Sequence, residues 1–391
     1  MAIEKRSADP VKAATRHMAS EETTDRFKRI FGCDILPEIP DVGITAIVLS
    51  YNEAIRLPHF IEHHAALGVG HFIVIDNDST DETAQILDGD ARVTRLHTSN
   101  PYSEHKAAWR EVLADLFCDG KWVVFIDVDE LLIYPGWPDI DLKSYCALLE
   151  TRNKNALFTT MVDMYPKEPL SKVQYQAGAP FLSVAPFFDR GNYRLIPLEP
   201  KAQKLWPTPH YRIFGGARER LFSDGEDRIP RLVEEVVEKT VFNLKRRNLR
   251  PGKKRRKLDA WARKFIGEGK QKLSPPNMSK VPLLWWQKGT QFPGGPHRVS
   301  KAYAMSDDWG ALLHFKYFDD FGARSKEAVD REQHAAGAAH YKLYLGDLDK
   351  VEDQSLVFSG SRRFSSTEDL VSAGLMRVSK ATRSALERYS K

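Results

Sequence analysis

One segment limits what this chain can fold into more than any other: Lys121-Trp122-Val123-Val124-Phe125-Ile126-Asp127-Val128-Asp129-Glu130-Leu131-Leu132-Ile133. A continuous apolar run rich in β-branched and aromatic side chains reads as a strand buried on both faces, which requires helices above and below its sheet. Asp127, Asp129 and Glu130 stand where that strand ends. Removing an unpaired carboxylate from water costs several kcal/mol in rough effective terms, so the cluster calls for protons, a cationic side chain or a metal. Asp127 and Asp129 alternate so as to share one side of an extended segment, and oxygen donors suit hard divalent cations that also hold phosphates. A strand running into an acidic surface turn would carry the same residues, so the surroundings decide.

Those surroundings alternate between strand and helix. Ile44–Leu49 reads as a first strand, followed by a helix with Pro58 in its first turn, Leu57, Phe60, Ile61, His64 and Leu67 on one face, and Gly68 as its stop. His71–Asp76 is a second strand, and Ser79 with Glu82 predicts a capping box for a helix through Ile86 and Leu87. Arg92–Leu96 is a short third strand; Ser103 is expected to cap a helix with Trp109, Val112, Leu113 and Leu116 on its core face. With the 121–133 run as fourth strand, this is a right-handed parallel sheet with ligands expected at the carboxyl ends of its strands. Downstream, Ala156–Asp163 and Tyr211–Phe214 read as strands, and Pro166–Pro209 as loops with short strands. Leu283–Trp286 and Trp309–Phe318 return to core composition, and two helices are expected around Ala328–Leu345 and Glu368–Tyr389. The chain therefore divides into an arm (1–40), an α/β domain (41–323) carrying an exposed basic insertion at about 226–280, and a helical extension (324–391).

At 391 residues and 42% hydrophobic content the chain can bury one large core or two modest ones. No apolar run has the length of a membrane span, and Met1–Ala19 is charged, so a soluble cytoplasmic protein is expected. Cys33, Cys118 and Cys146 have neither zinc-site spacing nor an even count for disulfides. The net charge of +5 is mild, but Lys245-Arg246-Arg247 and Lys253-Lys254-Arg255-Arg256-Lys257 concentrate it.

Three polar loops fall at the carboxyl ends of strands one, two and four: Ser50-Tyr51-Asn52-Glu53, Asp76-Asn77-Asp78-Ser79-Thr80-Asp81 and Asp127-Val128-Asp129-Glu130. Each alone is ordinary turn chemistry; together they describe a site. Tyr51 offers a face to a base, Asp76 can accept from a base or ribose donor, and the third loop can hold a metal on a diphosphate.

In this order, Val48–Glu53, Ile75–Asp81 and Phe125–Leu131 resemble the nucleotide-diphospho-sugar glycosyltransferases of the GT-A fold, in their family 2-like branch, which is also similar to family 92. Met161–Pro166, Gly215–Arg220, Ser279–Leu283 and Leu312–Lys316 extend the resemblance over roughly residues 42–320. It implies a Rossmann-like, mostly parallel sheet with helices on both faces, and a Mn²⁺ or Mg²⁺ cofactor. Tyr51, Glu53 and Asp76 would contact the nucleoside, Asp127 the ribose or the metal, and Asp129 would be the principal metal ligand. His314 would be a third ligand, with His297 as a rival. Lys106, Arg110 and Lys316 would neutralise the diphosphate. Family members carry an acidic pair after a Gly-Gly segment as base; here Gly215-Gly216 is followed by Glu219, with Asp163 as the second candidate, while Glu226-Asp227 lies further on.

The expected partners are a nucleotide-diphospho-sugar donor and a glycan or lipid-linked acceptor, in surface polysaccharide synthesis. Peripheral contact with an anionic membrane would use the basic insertion together with Arg377, Lys380, Arg383 and Arg388. Two rivals fit less well. A sugar-phosphate nucleotidyltransferase wants a Gly-rich basic loop after strand one, where this chain has Ser50–Glu53. A nucleic-acid-binding protein would explain the run at 245–257 but not the acidic strand end, and no aromatic-interleaved motif accompanies that run, so no nucleic acid is expected.

Overall fold

A computed structural model describes residues 22–198, 200–222, 276–293, 295–333 and 335–389. The basic runs at 245–257 and the Glu226-Asp227 pair lie outside the described residues, as does most of the expected N-terminal arm.

The parallel half follows the sequence closely. Strands β1 (Ile44–Ser50), β2 (His71–Asp76), β3 (Val93–His97) and β4 (Trp122–Asp127) lie in the order β3-β2-β1-β4, all neighbours parallel. Every residue of β1 and β2 is buried, as uninterrupted apolar strands must be when helices cover both faces. The intervening helices are α1 (Leu57–Leu67), α2 (Thr83–Asp88) and α3 (Tyr102–Phe117). Helix α1 stops at Gly68, whose φ of 104° is the left-handed cap geometry that glycine adopts without a Cβ penalty. Trp109, Val112 and Leu113 of α3 are fully buried against the sheet.

Beyond β4 the sheet becomes mixed. The 121–133 run is not one strand: it breaks at Val128-Asp129, and β5 (Glu130–Ile133) pairs antiparallel with β11 (Met305–His314). Asp127 and Asp129 thus do not share an extended segment; each turns to a different cation, and the Asp129 carbonyl accepts from the Phe315 N–H at 2.7 Å. Strand β6 (Ala156–Tyr165) runs parallel to β11, and β10 (Ser279–Trp285) lies antiparallel between β4 and β6. Strand β10 starts inside the range read as exposed insertion, and its Lys280 is buried in the core. On the far side β7 (Phe187–Asp189) joins β6, and the short strand Ser361–Arg363 pairs with β7 at the edge. A separate hairpin pairs β8 (Tyr193–Pro197), inside the stretch read as loops with short strands, with β9 (Tyr211–Gly215), the strand expected at Tyr211–Phe214.

Two expected caps are corrected. The Ser79 hydroxyl accepts from the Asn52 N–H at 3.0 Å and Asp81 from the Ala54 N–H at 3.1 Å, so the second loop is stitched to the first, and α2 starts only at Thr83 with no side-chain cap. Ser103 lies within α3, its hydroxyl donating to Gln333 at 3.1 Å. The C-terminal helices also divide. Helices α4 (Phe321–Arg331) and α5 (Ala335–Gly346) are separated at Glu332, which has a φ of 49°. Gly374, with a φ of 74°, separates α6 (Thr367–Ala373) from α7 (Lys380–Tyr389). Helix α4 crosses the boundary read at 323/324. Among the described residues no helix is long and apolar enough to cross a membrane.

Candidate active site

Strand register assembles the centre of the site. Glu130 on β5 lies opposite His314 on β11, and His314 lies beside Asp163 on β6. Residues directly opposite one another in a sheet share a face, so three functional side chains stand in one row. Asp129 enters from the adjoining turn, with one oxygen 3.3 Å from His314 Nε2, while His314 Nδ1 lies 2.7 Å from Asp163.

Every member of this row is buried. Burial opposes ionisation of Asp129, but the imidazole of His314 outweighs it, with Lys316 and Arg324 adding to the effect, and holds that carboxyl well below its usual range. Burial likewise opposes the charge on Asp163, yet Arg218 and His314 bring it down to about 2. Arg218 donates from Nε to Asp163 at 2.9 Å.

A second cluster neutralises the end of β4. Lys280 Nζ lies 2.6 Å from both Asp127 and Glu130, and Arg110 donates to Asp127 at 2.9 Å. Burial works against the Asp127 charge, but Lys280 and Arg110 win and set its carboxyl at about 2. For Glu130 burial wins over Lys280, and its carboxyl is raised.

Above these clusters opens a cavity of about 990 Å³ whose walls include Tyr51, Asp127, Asp129, Glu130, His314 and Arg324. Helix α4 closes one side. Its Arg324 pairs with Glu53, Glu327 accepts from Asn52 at 2.6 Å, and Arg331 stacks 3.3 Å over the Tyr51 ring. Glu53 is buried there, and that burial pushes its carboxyl up to about 7 despite Arg324 and Arg56.

Residues 45–137 match the model of the family described as glycosyl transferase family 2. That segment is a glycosyl transferase family 2 domain, and the protein that carries it is a glycosyltransferase. No curated protein matches it. The matched residues run from β1 through the acidic turn, so they carry all three polar loops.

Of the residues expected from sequence, the glycosyltransferase brings Tyr51, Glu53, Asp127, Asp129, His314 and Lys316 to the cavity wall, together with His297. Five others do not line it. Asp76 is buried, accepting from the Ser79 N–H at 3.1 Å and from Arg95 at 3.3 Å. Lys106 lies 5.0 Å over the Tyr102 ring. Asp163 stands behind His314, and Glu219 is held by Arg194 at 2.8 Å. Arg110, expected on the diphosphate, is engaged with Asp127. His297 Nδ1 donates to the Ser279 carbonyl at 2.6 Å, and burial pushes its imidazole down to about 3.

Among the described residues, the donor set that can hold a divalent cation is Asp129, Glu130 and His314, whose ligand atoms lie within 4.8 Å of one another. Two carboxylates and an imidazole are ligand types that divalent cations take. Asp127, expected as a ligand, is replaced in this set by Glu130. Lys280 was not among the expected site residues. A lysine leading directly into the apolar run Val281–Trp286 was the available signal: a cation in a buried strand must face a carboxylate.

Proposed function

We propose that this glycosyltransferase is metal-dependent and transfers a sugar from a nucleotide-diphosphate donor to a hydroxyl of a glycan or lipid-linked acceptor, in surface polysaccharide synthesis. The observation that carries the reading is the Asp129–Glu130–His314 donor set at the carboxyl end of a parallel sheet, beneath a cavity that also holds Lys316 and Arg324. Asp129, Glu130 and His314 would hold Mn²⁺ or Mg²⁺; when bound, the ion offsets charge on the departing diphosphate. During transfer the bond between the anomeric carbon and the diphosphate oxygen breaks, one to the acceptor oxygen forms, and the acceptor's O–H proton passes to the departing diphosphate. Lys316 and Arg324 offset the negative charge growing on the leaving group. Tyr51, backed by Arg331, receives the base, and α4 shields that end from water. Asp163 positions His314 and does not touch the substrate.

The reading is tested with Asp129→Asn. Calorimetry with UDP, GDP, dTDP and ADP, each with and without Mn²⁺, should show metal-enhanced binding of one nucleotide by the parent and none by the variant, with unchanged far-UV circular dichroism. Metal-independent binding of equal strength in both proteins would remove Asp129 from the metal site.

Peripheral contact with an anionic membrane belongs to the same proposal. Arg377, Lys380, Arg383 and Arg388 are all exposed at α7 and the turn before it, and each cation near such a surface is worth about 1 kcal/mol. Replacing these four by Ser should abolish salt-sensitive binding to phosphatidylserine vesicles; undiminished binding would end that part of the reading.

A further inference from the structure

The β8–β9 hairpin presents an unusual face to the cavity. Arg194 lies opposite Phe214 and Ile196 opposite Arg212, and all four side chains line the cavity wall. Opposite residues and alternate residues of a hairpin share a face, so the register itself turns two arginines and two apolar groups inward. Arg298 joins them from the next turn, which is tied to the chain leading into β9 by the Val299 N–H bond to the Thr208 carbonyl at 2.8 Å.

The three arginines are not equivalent. Arg194 is anchored by Glu219 at 2.8 Å. Arg212 and Arg298 are both partly buried, yet neither has a carboxylate within ion-pair distance among the described residues. Burial, followed by repulsion from Arg298, lowers the basicity of Arg212. Two partly buried guanidinium groups on one cavity wall, with no counter-charge among the described residues, are costly unless a ligand supplies it. The pair is separate from the cations of the metal centre: those acting on Asp129 are His314, Lys316 and Arg324, from β11, the segment after it, and α4.

We propose that Arg212 and Arg298 form an anion subsite on the acceptor side of the cavity, which receives the carboxylate or phosphate of an acidic sugar acceptor while Ile196 and Phe214 cover its ring. The assignment to an acceptor rests on the glycosyltransferase reading above. A guanidinium fork matches either oxyanion with paired hydrogen bonds, and an apolar surface beside it suits the C–H face of a pyranose.

The test is isothermal calorimetry on the full chain with D-glucose, D-glucuronate and D-glucose 6-phosphate, run without nucleotide and again with a nucleoside diphosphate and Mn²⁺. At least one anionic sugar should bind 10-fold or more tightly than glucose. Whichever does so assigns the anion as carboxylate or phosphate. Arg212→Gln with Arg298→Gln should erase the preference, and Arg212→Lys with Arg298→Lys should keep part of it, since the charge remains while the fork is lost. Equal binding of all three sugars by the parent overturns the subsite, as does a preference that survives in the Gln variant. Loss of nucleoside diphosphate binding in that variant also overturns it, by giving the pair to the donor. A parent that binds none of UDP, GDP, dTDP and ADP defeats the donor reading instead, and the nucleotide-free sugar titrations still decide the subsite.

Discussion

His314 meets Asp163 through Nδ1 at 2.7 Å, and this contact leaves Nε2 facing Asp129. Burial opposes a charge on this ring, but Asp129 and Asp163 raise its basicity and favour the doubly protonated form; a metal ion would take the place of the Nε2 proton while Nδ1–H stays on Asp163. A carboxylate behind a ligating imidazole fixes the ring and its tautomer, and losing such a partner costs about 10- to 100-fold in metal affinity. Asp163→Asn should therefore raise the Mn²⁺ concentration needed for half-maximal nucleotide binding by that factor. A metal titration at constant nucleotide reads it, and an unchanged midpoint would leave Asp163 as a partner of Arg218 alone.

Lys280 makes a prediction of opposite kind, about stability. Its ammonium is the shared counter-charge of Asp127 and Glu130, 2.6 Å from each. Removing one partner from a buried ionic cluster costs about 3–5 kcal/mol because the remaining charges stay desolvated. Lys280→Met should lower the unfolding free energy in urea by that amount. Adding Asp127→Asn and Glu130→Gln should recover much of the loss, since a neutral cluster has no charge left to desolvate. A single variant as stable as the parent would show that water reaches these carboxylates.

The parallel half of the fold was legible because its strands are buried on both faces, so their apolar runs are continuous and bounded by helices with regular faces. The acidic turn was legible for the same reason: carboxylates at the end of such a run stand out. Asp129 and His314 were recognisable by motif, but their geometry was not, because it depends on β5 leaving the β4 direction to pair with β11. That pairing joins residues more than 180 apart in sequence, Glu130 with His314. Lys280, Arg324 and Arg331 were missed because they arrive from β10 and α4, segments read as insertion and extension. Ser79 looked like a helix cap since the same hydroxyl can serve a neighbouring loop, and here it does. Strand β9 was expected at Tyr211–Phe214, but its pairing with β8 was not, because β8 lies in a proline-rich stretch and has no buried apolar run.

Consecutive histidines on α1 hold the backbone of β5. His63 Nε2 lies 3.4 Å from the Leu132 carbonyl, and His64 Nε2 lies 3.4 Å from the Leu132 N–H while its Nδ1 donates to the Phe60 carbonyl at 2.8 Å. His64 must be neutral to accept from Leu132. Burial pushes His63 down to about 4 and His64 well below its ordinary range. A histidine whose folded value is depressed stabilises fully above its unfolded value of about 6.5 and loses that contribution as pH falls toward the folded value. His63 alone then accounts for no more than about 3 kcal/mol between pH 6.5 and 4. Glu53 works in the reverse direction, gaining stability as pH falls from about 7. The contrast with His63→Gln and His64→Gln together isolates the histidines. Urea midpoints of the parent should fall more steeply from pH 7 to 5 than those of the double variant; parallel slopes would mean that the imidazoles are solvated.

Glu219 was expected as the base, and its position points to a different effect. It does not line the cavity, and its carboxylate holds Arg194, whose side chain does. Loss of a positioned general base costs about 10²- to 10⁴-fold in rate. A residue that only anchors a binding arginine instead weakens the binding of what that arginine touches. Glu219→Gln should thus reduce turnover, followed as release of the nucleoside diphosphate, by less than 10-fold, and leave metal-dependent nucleotide affinity unchanged. The amide can still accept from Arg194, so the hairpin should keep its place, whereas Glu219→Ala should release Arg194 and raise the acceptor KM further. A fall of 100-fold or more in kcat for the Gln variant, with the acceptor KM unmoved, would return the proton-abstracting role to Glu219.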